Sequence, residues 1–158
     1  MLELGSAVQE AIAAAYRHLN RRERTQAEIR AHLERAGVDS RDVEQAIAAL
    51  VEDGQLDDAR FARLFAEDKR ELDGWGSDRI RQVLLTRGVE RDVIEDALTE
   101  PGSGDEMQRA LELLRRRFAG REWDRRERDR ALGVLVRKGY GVELALDAIA
   151  AHARAGAT

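Results

Sequence analysis

Histidine is the residue of this chain with the most chemistry to offer, because imidazole binds metals and transfers protons near neutral pH. His18, His32 and His152 lie far apart, and none has a second histidine at the spacing of a metal site. The chain has no cysteine, which excludes disulfides, thiolate metal sites and cysteine nucleophiles. No glycine-rich segment has the Gly-Lys-Ser/Thr pattern of a phosphate-binding loop. We therefore predict no active site, no metal and no cofactor, and expect a binding protein rather than an enzyme.

Arginine supplies the strongest chemical signal. Arg115, Arg116 and Arg117 are consecutive, and Arg125 and Arg126 follow at the next predicted helix start. Residues 109–138 carry 11 Lys and Arg against five Asp and Glu, although the whole chain has a net charge of −4. Pairing with nearby carboxylates explains part of this set. The excess of positive charge leaves a second interpretation open, namely contact with phosphate or with an acidic protein surface.

Carboxylates and an aromatic ring mark a second candidate region. Asp57 and Asp58 precede a predicted helix, where they either cap its amide end or also form an acidic corner for a basic partner. Trp75 lies between Gly74 and Gly76. Its ring is interpreted as a seal over a helical bundle, with an exposed interface anchor as the alternative.

A repeat in the sequence predicts which helices carry these residues. Gly37, Gly88 and Gly139 are spaced by 51 residues, and each is followed by an apolar or aromatic residue. Glycine suits the left-handed position that ends a helix, so each marks a helix end. Apolar residues keep the same spacing around them, which predicts three copies of one helical module. The matching positions are Ile29, Leu33, Val43, Ala46 and Ile47; Ile80, Leu84, Ile94, Ala97 and Leu98; and Ala131, Leu135, Ala145, Ala148 and Ile149.

The sequence also predicts where several helices begin. Thr25 and Glu28 form the pattern of a capping box, and Ser77 and Asp124 are predicted N-caps of the corresponding later helices. With a single proline, the chain is predicted to be all-α. We expect three tandem three-helix repeat units at residues 1–54, 55–100 and 105–154, with a linker at 101–104. Such units would stack into an elongated rod that can curve.

The composition indicates the type of core and the cellular location of the protein. Charged residues make up 37% and aromatic residues 4% of the 158 residues, so the core must be aliphatic. The start of the chain has no signal-peptide pattern, and no uncharged run is long enough to cross a bilayer. We expect a soluble cytoplasmic protein with no membrane contact and no small-molecule substrate, present as a monomer.

The assembled motifs resemble the RecX family, the small bacterial regulators of the RecA recombinase. The resemblance covers about residues 7–153, and several spaced motifs in one order are more specific than any one alone. The motifs are Arg22-Glu23-Arg24-Thr25-Gln26-Ala27-Glu28-Ile29, Leu56-Asp57-Asp58-Ala59-Arg60-Phe61-Ala62, Gly74-Trp75-Gly76, Arg79-Ile80-Arg81 and Arg87-Gly88-Val89.

This resemblance implies a non-enzymatic regulator that binds the RecA–DNA filament and lowers its ATPase and strand-exchange activity. It implies a partner-binding role for Asp57, Asp58, Phe61, Trp75 and Arg79. Contact of the arginine set with filament-bound DNA or with an acidic protomer surface is our own prediction from charge.

Two other functions remain open from the sequence. The first is a helical DNA-binding transcriptional repressor, since three-helix units resemble helix-turn-helix modules. Asp42, Glu44, Glu95 and Asp96 on the predicted recognition helices disfavour it, because phosphates repel carboxylates. The second is a scaffold for another helical partner.

Overall fold

The computed structural model describes residues 5–99, 105–120 and 123–156, and within these ranges the regular structure is entirely helical. This confirms the all-α prediction. The predicted linker at 101–104 lies outside the described residues. None of the described helices combines the length and the hydrophobicity that a bilayer span needs. The helices are α1 (Ser6–Leu19), α2 (Gln26–Arg35), α3 (Ser40–Glu52), α4 (Asp58–Leu72), α5 (Ser77–Thr86), α6 (Arg91–Leu98), α7 (Glu106–Phe118), α8 (Arg125–Lys138) and α9 (Val142–Gly156).

The three glycines spaced by 51 residues end α2, α5 and α8. Their φ angles are 84°, 87° and 104° at Gly37, Gly88 and Gly139, the left-handed conformation that the sequence predicts. In each case the N–H of the following residue donates to a carbonyl five residues back, at 3.1, 3.1 and 3.0 Å. This is the hydrogen bond of a Schellman motif, and it satisfies a carbonyl that the helix end would otherwise leave open.

Two predicted helix starts are confirmed and one is displaced. The Thr25 hydroxyl accepts from the Glu28 N–H at 3.1 Å, and the Glu28 carboxylate accepts from the Thr25 N–H at 2.9 Å. Asp124 accepts from the N–H of the third residue of α8 at 2.9 Å. Ser77 is not an N-cap but the first residue of α5, and its N–H donates to the carboxylate of Glu106 on α7. A carboxylate from another helix has taken the capping role.

All fifteen of the matching apolar positions are buried, with exposed fractions of 8% or less. This confirms the core that the 51-residue spacing predicts. The buried residues of the first bundle form one cluster across α1, α2 and α3. Those of α7, α8 and α9 form another, in which Phe118 and Tyr140 are the large members.

The chain divides into two compact units. The first contains Met1–Arg63 and Leu84–Ile94, and the second contains Leu64–Val83 and Glu95–Thr158. Each of α4, α5 and α6 therefore supplies residues to both compact units. The division into three repeats at 1–54, 55–100 and 105–154 stays a prediction.

Candidate partner-binding site

The acidic pair at the start of α4 lies in the first compact unit and caps two helices. Asp57 is exposed, and its carboxylate accepts from the Arg60 N–H at 3.0 Å. Asp58 is half-buried and accepts from the Gln26 N–H at 2.9 Å, 32 residues away in the chain. Burial raises the pKa of Asp58, and the negative charge of Asp57 raises it further against the lowering effect of the Gln26 hydrogen bond. Asp58 thus holds the start of α2, whereas the Asp57 carboxylate is exposed.

Phe61 is buried, with 7% of its surface exposed, so it forms a wall rather than a projecting contact. The guanidinium of Arg87 lies 4.5 Å from the centre of its ring. Arg87 also binds Glu28 through two hydrogen bonds, at 2.9 and 3.2 Å. Burial alone would raise the pKa of Glu28, but the hydrogen bonds from Arg87 and from the Thr25 N–H outweigh it and lower the pKa. Sequence reasoning assigned Glu28 and Arg87 to separate helix ends and missed their pairing.

A recess of about 150 Å³ opens beside Asp57 and Phe61 in the same compact unit. Arg60 lies on its rim, 3.7 Å from Glu23 and donating to the Gly54 carbonyl at 3.2 Å. A volume of this size is comparable to that of one amino-acid side chain. The recess is lined by Leu19, Asn20, Glu23, Arg24, Gln55, Asp57, Arg60 and Phe61.

Trp75 lies in the second compact unit and is half-buried. The Arg79 guanidinium lies 4.0 Å from the centre of the Trp75 ring, and the Lys69 ammonium lies 4.8 Å from it. The Phe65 ring packs edge-on against the indole, with 6.2 Å between the two ring centres. Arg79 is exposed and also donates to the Arg137 carbonyl at 3.2 Å. The two cations hold the indole in place, and its uncovered part lies beside exposed positive charge.

The loop around Trp75 is hydrogen-bonded to the turn after α8. The Gly76 N–H donates to the Lys138 carbonyl at 2.8 Å, and the Asp78 N–H donates to the Gly139 carbonyl at 2.9 Å. The Tyr140 hydroxyl donates to the Gly74 carbonyl at 3.0 Å. A Cβ at Gly76 would overlap the Gly139 carbonyl, so glycine is required there by close backbone approach.

The basic patch consists of Arg115, Arg116 and Arg117 at the end of α7 and Arg125 and Arg126 at the start of α8. All five are exposed, and none forms an ion pair with a residue that the structure describes. Successive helical residues are rotated by about 100°, so the three consecutive arginines point in different directions. Positive charge in the first turn of α8 opposes the helix dipole. Their charges therefore do not stabilise the start of α8.

The histidines are not as scattered as the sequence implied. The rings of His18 and His32, on α1 and α2, stack with centroids 3.9 Å apart and 5° between their planes. His152 instead contacts the Trp123 ring edge-on at 5.0 Å. Among the described residues, no group of His, Asp and Glu has the arrangement of a metal site.

Comparisons with known proteins match this arrangement to one family. A family model described as the first three-helix domain of RecX matches residues 11–50, and that of the second three-helix domain matches residues 57–98. Regulatory protein RecX of Halorhodospira halophila is 40% identical over 152 residues, which are 96% of this chain and 93% of that protein.

Two further comparisons extend this result. Regulatory protein RecX of Deinococcus radiodurans is 38% identical over 130 residues, or 82% of this chain, and the match spans 62% of that protein's length. The crystal structure of RecX from Lactobacillus salivarius superposes with a TM-score of 0.82 at 19% identity, covering 96% of this chain and 99% of that one. At this identity the superposition shows the shared fold.

Proposed function

The chain belongs to the RecX family, and from this premise we propose that it regulates the RecA recombinase by binding the RecA–DNA filament. Binding lowers the filament's ATPase and strand-exchange activity. The observation that carries the proposal is the similarity to a protein named regulatory protein RecX along 96% of this chain. We further propose that the protein works as a cytoplasmic monomer and catalyses no reaction itself.

The surfaces described above support such a role. The basic patch presents five exposed arginines to filament-bound DNA or to an acidic protomer surface. The start of α4 offers one protomer the exposed carboxylate of Asp57 and a side-chain-sized opening, next to Asp58 and the buried wall of Phe61. Trp75 and Arg79 offer a cationic aromatic contact to another.

The mechanism needs only differential binding. A regulator that binds one filament geometry more tightly than another shifts the filament toward that geometry by the difference in binding free energy. Several weak contacts on one chain reinforce one another through effective concentration. ATP hydrolysis by the recombinase therefore falls without any nucleotide site on this chain.

The basic patch gives the first test. We expect Arg115→Gln, Arg116→Gln and Arg117→Gln together to weaken binding to a RecA–DNA filament at least about tenfold and to reduce its salt dependence. The measurement is co-sedimentation with preassembled filaments across a salt series, with helicity checked by circular dichroism.

The matched control removes the same charge elsewhere. Arg41, Arg91 and Arg154 are exposed on α3, α6 and α9, and their joint replacement by Gln gives the same net charge. Equal losses in the two triple variants would show that only total charge matters. Full binding by the Arg115–Arg117 variant would remove the basic patch from the mechanism.

The alternative of a transcriptional repressor is weakened by paired carboxylates on the predicted recognition helices. Glu44 is exposed and paired with Arg30 at 2.6 Å, and Glu95 is exposed and paired with Arg81 at 2.5 Å. Carboxylates on these helices are poor neighbours for DNA phosphates, which carry the same charge. If the protein alone, without recombinase, shifted DNA of one particular sequence in a gel, that result would favour the repressor.

A further inference from the structure

The 51-residue period places an ion pair on the outer face of two helix pairs, α2–α3 and α5–α6. Arg30 and Glu44 are joined by two hydrogen bonds, at 2.6 and 3.2 Å. Arg81 and Glu95 are joined in the same way, at 2.5 and 3.3 Å. The two arginines are 51 residues apart, as are the two glutamates. All four side chains are between 35% and 58% exposed, so these positions face solvent in both helix pairs.

The helix pair α8–α9 has leucine at both corresponding positions. Leu132 takes the place of the arginine and Leu146 that of the glutamate. Leu132 is half-buried, whereas Leu146 is 50% exposed. Val142 is 54% exposed and corresponds to Ser40 and Arg91 of the earlier helix pairs. The period therefore shows polar side chains replaced by apolar ones at one place only, on α8 and α9.

These apolar side chains form one face, which lies in the second compact unit. Val142 and Leu146 are four residues apart on α9, and Leu132 and the exposed Val136 are four residues apart on α8, so each pair lies on one side of its helix. The arginine and glutamate at the corresponding positions touch in the earlier helix pairs, which indicates that the two apolar pairs lie side by side. We call these four residues the α8–α9 face. Exposed leucine and valine gain free energy only when another surface covers them, and contiguous apolar surface marks interaction sites.

Charge disfavours a second copy of the chain as the cover of the α8–α9 face. Residues 109–138 carry 11 Lys and Arg against five Asp and Glu, and α9 adds Glu143 and Asp147 against Arg154. Two copies that docked through α8 and α9 would bring two strongly positive segments together, which opposes association.

The α8–α9 face is continuous with the basic patch. Arg125, Asp129, Leu132 and Val136 follow one another at intervals of three or four residues, so they lie along one side of α8. Arg125 belongs to the basic patch and lies two helical turns before Leu132, or about 10 Å along the helix. A filament bound at the basic patch therefore also reaches the α8–α9 face.

We propose that the α8–α9 face docks on an apolar surface of a recombinase protomer, beside the contact made by the basic patch. This inference rests on the recombinase proposal and adds to it an apolar contact with a different physical signature. Burial of apolar surface does not depend on charge, whereas exposed arginine contacts are screened by salt. The helix pair α8–α9 thus supplies a part of the affinity that persists at high salt.

The test removes apolar groups without changing the net charge. Val142→Ser with Leu146→Gln is expected to weaken binding to preassembled RecA–DNA filaments at least about tenfold. The loss should be the same at low and high salt, so that the slope of the salt series stays that of the wild type. The measurement is co-sedimentation of the full chain across this series, with folding checked by circular dichroism and urea unfolding.

The matched control makes the same exchanges on α3 and α4. Val51 and Leu72 are 41% and 80% exposed, and Val51→Ser with Leu72→Gln should bind as the wild type does. Equal weakening in the two double variants overturns the proposal, because any loss of exposed apolar surface would then have the same effect.

A third variant gives α8 and α9 the ion pair of the earlier helix pairs. Leu132→Arg with Leu146→Glu again leaves the net charge unchanged, and the earlier helix pairs accommodate this pair in the same fold. We expect it to bind as weakly as the Val142/Leu146 variant. Wild-type binding by either folded variant overturns the docking proposal and leaves the recombinase proposal standing.

Two other outcomes have distinct meanings. If sedimentation velocity of the chain alone shows a dimer that the Val142/Leu146 variant does not form, a second copy covers the α8–α9 face and the proposal is wrong. If the wild type does not sediment with filaments at any salt concentration, the recombinase proposal itself fails, and the docking proposal fails with it.

Discussion

Gly37 and Gly88 share one backbone conformation but differ in surroundings. Their φ angles are 84° and 87°. A Cβ at Gly37 would meet no atom within 4 Å, whereas a Cβ at Gly88 would overlap the Ala27 Cβ. A left-handed conformation strains any residue with a side chain by about 1–2 kcal/mol, whatever its neighbours. The two positions therefore separate backbone strain from tight packing.

We expect Gly88→Ala to destabilise the protein more than Gly37→Ala does. Gly37→Ala should lower the free energy of unfolding by about 1 kcal/mol through strain alone. Gly88→Ala should lower it by about 1–3 kcal/mol more, because the overlap with Ala27 must be relieved by displacing a helix start. Urea unfolding of both variants measures the difference. Equal decreases in the free energy of unfolding would show that the close approach of Gly88 to Ala27 does not affect stability.

Asp58 gives a prediction that depends on pH. Burial raises its pKa, so the folded chain holds this proton more tightly than the unfolded chain does. Stability therefore falls as the pH rises through the folded pKa and the buried carboxyl ionises. Asp58→Asn keeps an acceptor oxygen for the Gln26 N–H without the charge, and we expect it to match or exceed wild-type stability at pH 7.

The stability advantage of Asp58→Asn should shrink in acid, where the wild-type carboxyl is protonated. Asp58→Ala, which loses the acceptor, should cost about 1 kcal/mol at both pH values. Thermal unfolding at pH 7 and pH 4 measures both variants. An Asp58→Asn variant less stable than Asp58→Ala at pH 7 would show that the carboxylate charge is itself needed.

At the scale of helices, each compact unit contains a hydrogen bond from the residue just before a helix to a carbonyl in a distant turn. We call each of these contacts a joint. In the first, the Thr25 hydroxyl donates to the Arg87 carbonyl at 2.7 Å. In the second, the Gly76 N–H donates to the Lys138 carbonyl at 2.8 Å. Thr25 and Gly76 are 51 residues apart, as are Arg87 and Lys138. The 51-residue period therefore extends from apolar positions to the hydrogen bonds that link one helical segment to the next.

The salt bridge at the first joint should matter more than a similar pair on the surface. Arg87 and Glu28 are 21% and 23% exposed, whereas Arg81 and Glu95 are 35% and 49% exposed. We expect Arg87→Ala to lower the free energy of unfolding by about 1–3 kcal/mol, because it also uncovers Phe61 and leaves a half-buried carboxylate unpaired. Arg81→Ala, the control, should cost about 0–1 kcal/mol.

Urea unfolding of the two arginine variants at pH 7 makes this comparison. The contribution of Glu28, whose pKa is lowered, is present above the ordinary carboxyl range and is lost as the pH falls through the lowered pKa. The difference between wild type and Arg87→Ala should therefore narrow in acid. A larger loss from Arg81→Ala would contradict the importance of the joint.

Much of the fold was predictable because its signals are local. The apolar period located the buried residues, and the glycines located the helix ends, since both depend on neighbours within about one helical turn. The joints were not predictable, because their partners lie about 60 residues apart and differ in type, with threonine at one joint and glycine at the other. Ser77 failed as a predicted N-cap for the same reason: Glu106 on α7 replaced it.

For the whole molecule, charge rather than packing indicates most of the surfaces that we propose for partner binding. The sequence located the arginines of the basic patch, and the structure places all five on the surface. It could not predict that the rings of His18 and His32 stack, because these residues are 14 apart in the chain and lie on different helices. The exposure of Asp57 and the burial of Phe61 likewise depend on how α4 packs, which periodicity alone does not give.

The central claim is that this chain restrains a recombinase filament, and the DNA-dependent ATPase of the cognate RecA tests it most directly. We expect the wild-type chain to lower the steady-state rate at substoichiometric amounts, and the Arg115–Arg117 variant to do so only at much higher concentration. The control variant of Arg41, Arg91 and Arg154 should act as the wild type does. An unchanged ATPase rate at saturating amounts of chain, together with no co-sedimentation, would contradict the account.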